Sequence, residues 1–196
     1  MDPGKLITIE GIDGAGKSTL AVGLAQALET RGIAVQLLRE PGGVLASERI
    51  RDLVVDPKLH VGARAEALLY AAARAQLVDE ALRPLLEKGT WVLLDRFVDS
   101  SLAYQGGGRR LGIDAVREIN EFAIQGLRPD RTLLLAIDPA AGQARSGSEP
   151  PAMVCSSAKP VRSASLPNAT VCPEIASRCF MRRMTEACGS ALATVV

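Results

Sequence analysis

Short apolar runs alternate with helical patterns over the first three quarters of the chain. Four runs rich in leucine, isoleucine, valine and threonine end at charged or turn residues, which indicates buried strands. These predicted strands cover residues 5–10, 33–40, 90–95 and 131–138. Between them, apolar positions recur every three or four residues, as amphipathic helices require. The helices are expected over about residues 18–31, 46–55, 63–88 and 114–126.

The alternation of strands with helices predicts an α/β fold built from strand–helix–strand units. Right-handed crossovers between parallel strands place helices on both faces of the sheet. The expected architecture is therefore three layers, with a central parallel sheet flanked by helices. Loops at the carboxyl ends of the strands are the candidates for function.

Residues 147–196 lack this pattern. Residues 148–167 contain four prolines and show no helical or strand period. The tail offers only a weak helix over about 174–188 and a strand fragment in its last six residues, so disorder is the simpler prediction. We therefore expect an ordered domain over residues 1–146 and an atypical tail over 147–196, with the fold incomplete at its C-terminal end.

All four cysteines lie in that tail, at Cys155, Cys172, Cys179 and Cys188. Their spacing does not form the paired Cys-x-x-Cys arrangement of a zinc site, which disfavours a metal site there.

Overall composition adds constraints on location and partners. The net charge of +1 disfavours a nucleic-acid backbone or an acidic membrane surface as partner. No apolar run approaches the roughly 18 residues of a membrane helix, and the N-terminus carries no secretory signal. The chain is therefore expected in the cytosol, where disulfides are rare.

A glycine-rich loop follows the first predicted strand. Residues 11–19, GIDGAGKST, match G-x4-G-K-[ST] at every position and open the first helix. Backbone N–H groups in such a loop, together with the helix N-terminus, attract phosphate. Lys17 offers a charge to the β- and γ-phosphates, and the Ser18 hydroxyl is a ligand for Mg²⁺. The predicted ATP-binding residues are Gly11, Gly14, Ala15, Gly16, Lys17, Ser18 and Thr19. A glycine turn that merely joins strand to helix would not need the Lys-Ser pair.

Polar residues also end the second and third strands. Asp95 suits a role in the water shell of Mg²⁺, although an aspartate that caps the next helix is the alternative. Arg39 suits a second phosphate, and a surface Arg–Glu pair explains it equally well. Tyr70 and Arg74 lie four residues apart, on one face of the long helix. Together they are able to stack on a base and bond its edge, whereas the helical pattern alone favours a core tyrosine with an exposed arginine.

Five motifs together resemble a known family. They are EGIDGAGKST, REPGG followed by ERIRDLVVD, LLYAAARAQ, DRFVDSSLAYQGGGR and RPDRTLLLAID, and they cover about residues 5–146. In this order and spacing they resemble a thymidylate kinase, which transfers the γ-phosphate of ATP to dTMP. The resemblance implies a P-loop NTPase fold, Mg²⁺ as cofactor and ATP as co-substrate. Members of this family are commonly homodimers.

The resemblance also implies roles for single residues. Lys17 would hold the ATP phosphates, and Ser18 and Asp95 would serve the metal. Asp13 would approach the deoxyribose 3′-hydroxyl, while Arg39 and Arg96 would clamp the dTMP phosphate, with Arg96 also near the transferring group. The base site would comprise Tyr70 stacked on thymine, Arg74 on its carbonyl edge, Ser101 and Gln105 near the base, and Tyr104 against the 2′ position. The implied catalytic residues are Asp13, Lys17 and Arg96. Phe97 replaces the tyrosine usual after Asp-Arg.

A departure from the family begins after Arg145. Some members carry a catalytic arginine in the phosphate loop, but here Gly14 and Ala15 occupy those positions, so the chain resembles members whose arginines lie in a lid. Residues 137–145 begin the helix that precedes the lid, and the arginine-rich lid pattern does not follow. We interpret residues 147–196 as a frame-shifted or substituted end, with a divergent lid as the rival. Impaired activity is therefore expected. The alternatives to a dTMP kinase are a module that binds ATP without turnover and another nucleoside monophosphate kinase.

Overall fold

A five-stranded sheet lies at the centre of the molecule. The computed structural model describes residues 3–146 and 192–195. The strands are β1 (Leu6–Glu10), β2 (Val35–Arg39), β3 (Trp91–Asp95), β4 (Arg131–Ala136) and β5 (Leu192–Val195). Their order in the sheet is β2-β3-β1-β4-β5. The first four are parallel, which confirms the predicted sheet, and β5 adds an antiparallel edge on β4. The strand fragment expected at the end of the chain is therefore present.

The two central strands are buried on both faces. Leu6 of β1 pairs with Val92 of β3, and Ile9 pairs with Asp95. Because side chains alternate along a strand, one face packs Leu6 against Leu77 and the other packs Ile9 among residues that include Leu28. Burial on both faces explains why these strands are continuous apolar runs.

Helices cover both faces of the sheet. They are α1 (Lys17–Glu29), α2 (Leu45–Val55), α3 (Ala63–Leu77), α4 (Arg83–Glu87), α5 (Val98–Ser101), α6 (Ile113–Ile124) and α7 (Pro139–Ser146). The long helix expected over 63–88 is continuous from α3 to α4 through one wider π-helical turn, Val78–Leu82. Pro84 lies two residues after that turn, and it has no N–H to donate to the regular helical pattern.

One helical segment was not expected from the sequence. After α5, a π-helical stretch covers Leu102–Gly108 although it ends in three consecutive glycines. Glycine disfavours helix in isolation, but Gly106 is buried here, and a Cβ on it would lie 3.0 Å from the Ile113 side chain. Tertiary packing therefore overrides local propensity at this position.

Several sequence expectations lie outside the described residues. These are the weak helix over about 174–188, the four cysteines, and the segment 147–191 that departs from the lid pattern. Within residues 3–146 and 192–195, no helix combines the length and the apolar character needed to cross a membrane.

Candidate nucleotide-binding site

Two adjoining cavities open at the carboxyl ends of the parallel strands. The first has a volume of about 660 Å³ and contains the phosphate loop. The second has a volume of about 480 Å³ and lies beside Tyr70. They share Asp13, Glu40, Arg51 and Arg96 as lining residues. This is the edge of the sheet where the sequence placed the functional loops.

The phosphate loop has the backbone that its glycines allow. Gly14 and Gly16 have φ angles of +75° and +92°, and Lys17 then begins α1. The buried Lys17 Nζ donates to the carbonyl oxygens of Gly11 at 3.0 Å and Ile12 at 2.9 Å. Burial lowers the pKa of Lys17, and nearby Arg96 lowers it further. The lysine charge is therefore enclosed by the loop that would surround a phosphate.

The residues predicted to bind ATP divide into two groups. Those lining the first cavity are Gly14, Gly16, Lys17, Ser18 and Thr19. The other two shape the loop, because Ala15 is fully buried in the core and the Gly11 carbonyl accepts from Lys17.

Helix α7 packs directly on the phosphate loop through two glycines. A Cβ on Gly14 would lie 2.2 Å from the Gly142 carbonyl oxygen. A Cβ on Gly142 would lie 2.7 Å from Ile12 Cδ1 and 2.8 Å from the Asp13 carbonyl oxygen. This approach places Arg145, in the last turn of α7, at the first cavity.

Gly142→Ala is expected to weaken ATP binding, because its methyl group must displace either α7 or the loop backbone at Asp13. Overpacking costs about 1–3 kcal/mol, and if that cost falls on the loop, the ATP dissociation constant rises by about 5- to 150-fold. Titration calorimetry measures the ATP dissociation constant. Gly23→Ala is the matched control, since that glycine lies in α1 with no atom within 4 Å of its added Cβ. Equal ATP affinity in the two variants would contradict this packing argument.

Two oxygen donors next to the loop fit a magnesium ion. Ser18 Oγ lies 3.4 Å from Asp95 Oδ2. The other carboxylate oxygen, Asp95 Oδ1, is buried without a hydrogen-bond partner among the described residues. Mg²⁺ prefers such oxygen ligands and takes its remaining ones from phosphates and water.

Arg96 lies where the two cavities meet. Its φ angle is +71°, in the left-handed region that few non-glycine residues adopt. Nη2 donates to Asp13 Oδ1 at 2.5 Å and Nη1 to Ser100 Oγ at 3.3 Å. The guanidinium carbon lies 5.4 Å from the centroid of the Tyr104 ring. The residue is therefore held from several sides while it lines both cavities.

Arg74 is buried, with 2% of its surface exposed, so the alternative of an exposed arginine on this helix is wrong. A guanidinium has five N–H donors, and all five are used here. The acceptors are Glu40 Oε2, Ser101 Oγ, Asn120 Oδ1 and the carbonyl oxygen of Phe97. A thymine carbonyl would have to replace one of them.

The second cavity contains most of the residues predicted to bind dTMP. They are Asp13, Tyr70, Arg74, Arg96, Ser101, Tyr104 and Gln105. Gln105 is buried, and its Nε2 donates to Glu66 Oε1 at 2.9 Å. Arg39 differs, because it lines only the first cavity and pairs with Glu48 at 2.8 Å.

Sequence reasoning missed two residues that line both cavities. Arg51 on α2 donates from Nη1 to the Pro41 carbonyl oxygen at 3.1 Å. It lies in the motif ERIRDLVVD, but the sequence does not distinguish it from Arg49, which is exposed. Glu40 is buried beside Arg74, and its Oε1 has no hydrogen-bond partner among the described residues.

Glu10 is a third residue that sequence reasoning missed, and it ends β1 without lining either cavity. Its buried carboxylate accepts from the Phe97 N–H at 2.8 Å and from Ser100 Oγ at 2.6 Å. Burial raises the pKa of Glu10 above 4.5 despite these hydrogen bonds. Asp99 raises it further and Arg96 lowers it, while Lys17 and Glu40 are the other charged neighbours.

Replacing Glu10 by glutamine is expected to change how stability depends on pH. Because the folded pKa is raised, the native state binds more protons than the unfolded chain between 4.5 and the folded pKa. Stability is therefore lost as pH rises through that window. The free energy of unfolding of the wild type should fall relative to Glu10→Gln from pH 4.5 upward, as measured by urea denaturation. Parallel pH curves for the two proteins would contradict the raised pKa.

Fold and site together define a nucleotide-binding kinase of the P-loop type, with one cavity at the phosphate loop and a second beside it. A family model for thymidylate kinase matches residues 9–154. The chain belongs to the thymidylate kinase family. This confirms the resemblance carried by the five motifs.

Individual relatives agree with this assignment. The thymidylate kinase of Lactobacillus delbrueckii subsp. bulgaricus is 50% identical over 153 residues, covering 74% of this chain and 72% of that protein. That of Deinococcus radiodurans is 49% identical over 146 residues, covering 74% and 71%. The crystal structure of thymidylate kinase from Ehrlichia chaffeensis superposes with a TM-score of 0.65 at 35% identity, covering 74% of this chain and 79% of that one.

Proposed function

We propose that the chain transfers the γ-phosphate of ATP to dTMP and forms dTDP. The observation that carries this proposal is the junction of the two cavities at Arg96 and Asp13. One cavity has the phosphate loop for the donor, and the other has an aromatic and amide lining for an acceptor base. A transferring phosphate would lie between them, next to the Arg96 guanidinium.

On the donor side, Lys17 and the loop backbone would bind the ATP phosphates. Ser18 and Asp95 would hold Mg²⁺, which supplies positive charge to the phosphates when bound. Lys17 is already enclosed by the loop and needs only to exchange the carbonyl oxygens of Gly11 and Ile12 for phosphate oxygens.

On the acceptor side, the Tyr70 ring would stack on thymine and the Gln105 amide would lie near its edge. Tyr104 would pack against the sugar. We assign the acceptor phosphate to Arg96 and add Arg51, because both arginines line both cavities.

We propose roles for two arginines, Arg39 and Arg74, that differ from those implied by the motifs. Arg39 would have to leave Glu48 before it clamps the dTMP phosphate. Arg74 uses all five donors within the protein, so its main role would be to hold Glu40 and Ser101 in the wall of the base cavity.

Phosphoryl transfer depends mainly on positioning and on neutralising the charge of the phosphates. Lys17, Arg51 and Arg96 would bring two polyanions together that otherwise repel one another. Asp13 would direct Arg96 to the junction through its 2.5 Å hydrogen bond and would approach the sugar 3′-hydroxyl.

A second candidate function is ATP binding without turnover. The sequence after Arg145 favours it, because the arginine-rich lid pattern does not follow. An arginine supplied to the transferring group contributes about 10³–10⁵ in rate in related enzymes.

An acceptor panel tests these functions. ADP release from ATP–Mg²⁺ would be measured with dTMP, dUMP, CMP or AMP. Turnover that depends on dTMP supports the proposal, and a preference for CMP or AMP contradicts it. ATP binding with no turnover on any acceptor supports the second candidate.

We further propose that two copies of the chain form a homodimer through α2, α3 and α6. Helix α3 packs between the other two. Each carries an exposed large apolar side chain, Leu53 on α2, Leu68 on α3 and Phe122 on α6, and Phe122 is 82% exposed. The same surface of a second copy would cover these three side chains. We place the protein in the cytosol, with ATP and dTMP as its other partners.

Phe122→Glu is expected to dissociate this dimer, because it puts a charge at the most exposed of these apolar positions. Light scattering after size-exclusion chromatography should show a mass of 20.7 kDa for the variant and twice that for the wild type. Val22→Glu is the control, since Val22 is an exposed apolar residue on α1. A monomeric wild type would rule out the dimer.

A further inference from the structure

The backbone of Arg96 is held in a costly conformation. At a φ angle of +71° a non-glycine residue is strained, and it keeps this conformation only when the contacts around it hold it there. The Arg96 N–H donates to the Ile9 carbonyl oxygen at 3.0 Å, which fixes one side of this peptide. A second contact must fix the other side.

Glu10 makes that second contact, and it contacts the side chain as well. Its Oε1 accepts from the N–H of Phe97, the residue directly after Arg96, at 2.8 Å. Its Oε2 accepts from Ser100 Oγ at 2.6 Å, and that oxygen in turn accepts from Arg96 Nη1 at 3.3 Å. One buried carboxylate, 4% exposed, therefore restrains both the backbone and the guanidinium of Arg96.

We propose that Glu10 is a positioning residue that sets the Arg96 guanidinium for contact with the acceptor phosphate. This inference rests on the proposed function. Glu10 acts through Arg96, because it is not among the described residues that line either cavity. Glu10 ends β1 and Arg96 follows β3, so these contacts join the ends of two strands that are neighbours in the sheet.

The arrangement requires a carboxylate. Two donors, the Phe97 N–H and the Ser100 hydroxyl, point at its two oxygens, and an ionised carboxylate accepts at both. Glutamine accepts at one end only, so in Glu10→Gln the Ser100 hydroxyl loses its acceptor. Ser100→Ala removes the link to the guanidinium and leaves the Phe97 hydrogen bond intact.

The test is a double-mutant cycle on nucleotide binding, measured with the full chain. Titration calorimetry gives the dissociation constants for dTMP and for ATP–Mg²⁺. The single variants are Glu10→Gln, Ser100→Ala and Arg96→Ala. The two double variants combine Arg96→Ala with Glu10→Gln or with Ser100→Ala. We expect each of the first two to weaken dTMP binding about tenfold, as the loss of a charge-assisted contact does. ATP binding should change less than twofold, and neither variant should have a further effect once Arg96 is alanine.

A merely structural role gives a different result. If the variants weaken ATP as much as dTMP, or if their effects add fully to that of Arg96→Ala, the inference is overturned. Unchanged dTMP binding in Ser100→Ala overturns it even where Glu10→Gln does not fold. A wild type that binds none of dTMP, dUMP, CMP and AMP overturns the proposed function as well, whereas a wild type that prefers another of them overturns only the assignment to dTMP.

Discussion

Replacing Arg74 by methionine is expected to destabilise the fold by about 3–5 kcal/mol, the usual cost of breaking a buried ion pair. Glu40 would then lie buried without its partner, and burial already raises the pKa of its carboxyl group. Ser101 and Asn120 would also lose their guanidinium contacts. Urea denaturation measures the change in the free energy of unfolding.

Two controls isolate the buried pair. Arg64→Met changes an exposed arginine on the same helix and should stay within about 0.5 kcal/mol of the wild type. Glu40→Leu combined with Arg74→Met removes both charges and should recover part of the lost stability. If Arg74→Met costs no more than Arg64→Met, the buried pair does not stabilise the fold in this way.

Lys17→Met is expected to lower turnover with dTMP by about 10²–10³-fold, the loss found when one preorganised donor to a reacting oxygen is removed. The Lys17 amine is buried inside the phosphate loop, so no exposed side chain replaces its charge. Methionine fills similar space without that charge. Steady-state ADP release measures turnover, and calorimetry measures ATP binding on the same samples.

Lys5→Met is the matched control for this loss of a positive charge. Lys5 pairs with Asp130 on the surface at 2.9 Å, away from the residues that line either cavity. A surface ion pair contributes about 0–1 kcal/mol to stability. Lys5→Met should therefore stay folded and keep the turnover of the wild type. Turnover by Lys17→Met within tenfold of the wild type would show that the loop does not bind phosphate as proposed.

Local patterns were sufficient for the central strands and the phosphate loop. β1 and β3 are buried on both faces, so their burial appears in the sequence as uninterrupted apolar runs. The phosphate loop is nine consecutive residues that match one motif, so its place between β1 and α1 follows from neighbouring residues alone.

Contacts distant in the chain could not be predicted in the same way. The helical stretch at Leu102–Gly108 forms against local propensity because Gly106 packs against Ile113. Arg39 and Arg51 have equal chemistry in the sequence, yet Arg39 pairs with Glu48 while Arg51 reaches both cavities. Only their positions in three dimensions separate them.

The sequence by itself determined the parallel sheet, the glycine-rich loop after β1 and the family, because each depends on neighbouring residues or on motifs in fixed order. The tertiary structure alone decided which polar groups support the site. Arg74 meets Glu40, Ser101 and Asn120 from 34, 27 and 46 residues away. Glu10 reaches the backbone beside Arg96 across 87 residues. A buried charge takes whichever partners the folded chain brings to it, and no local pattern specifies them.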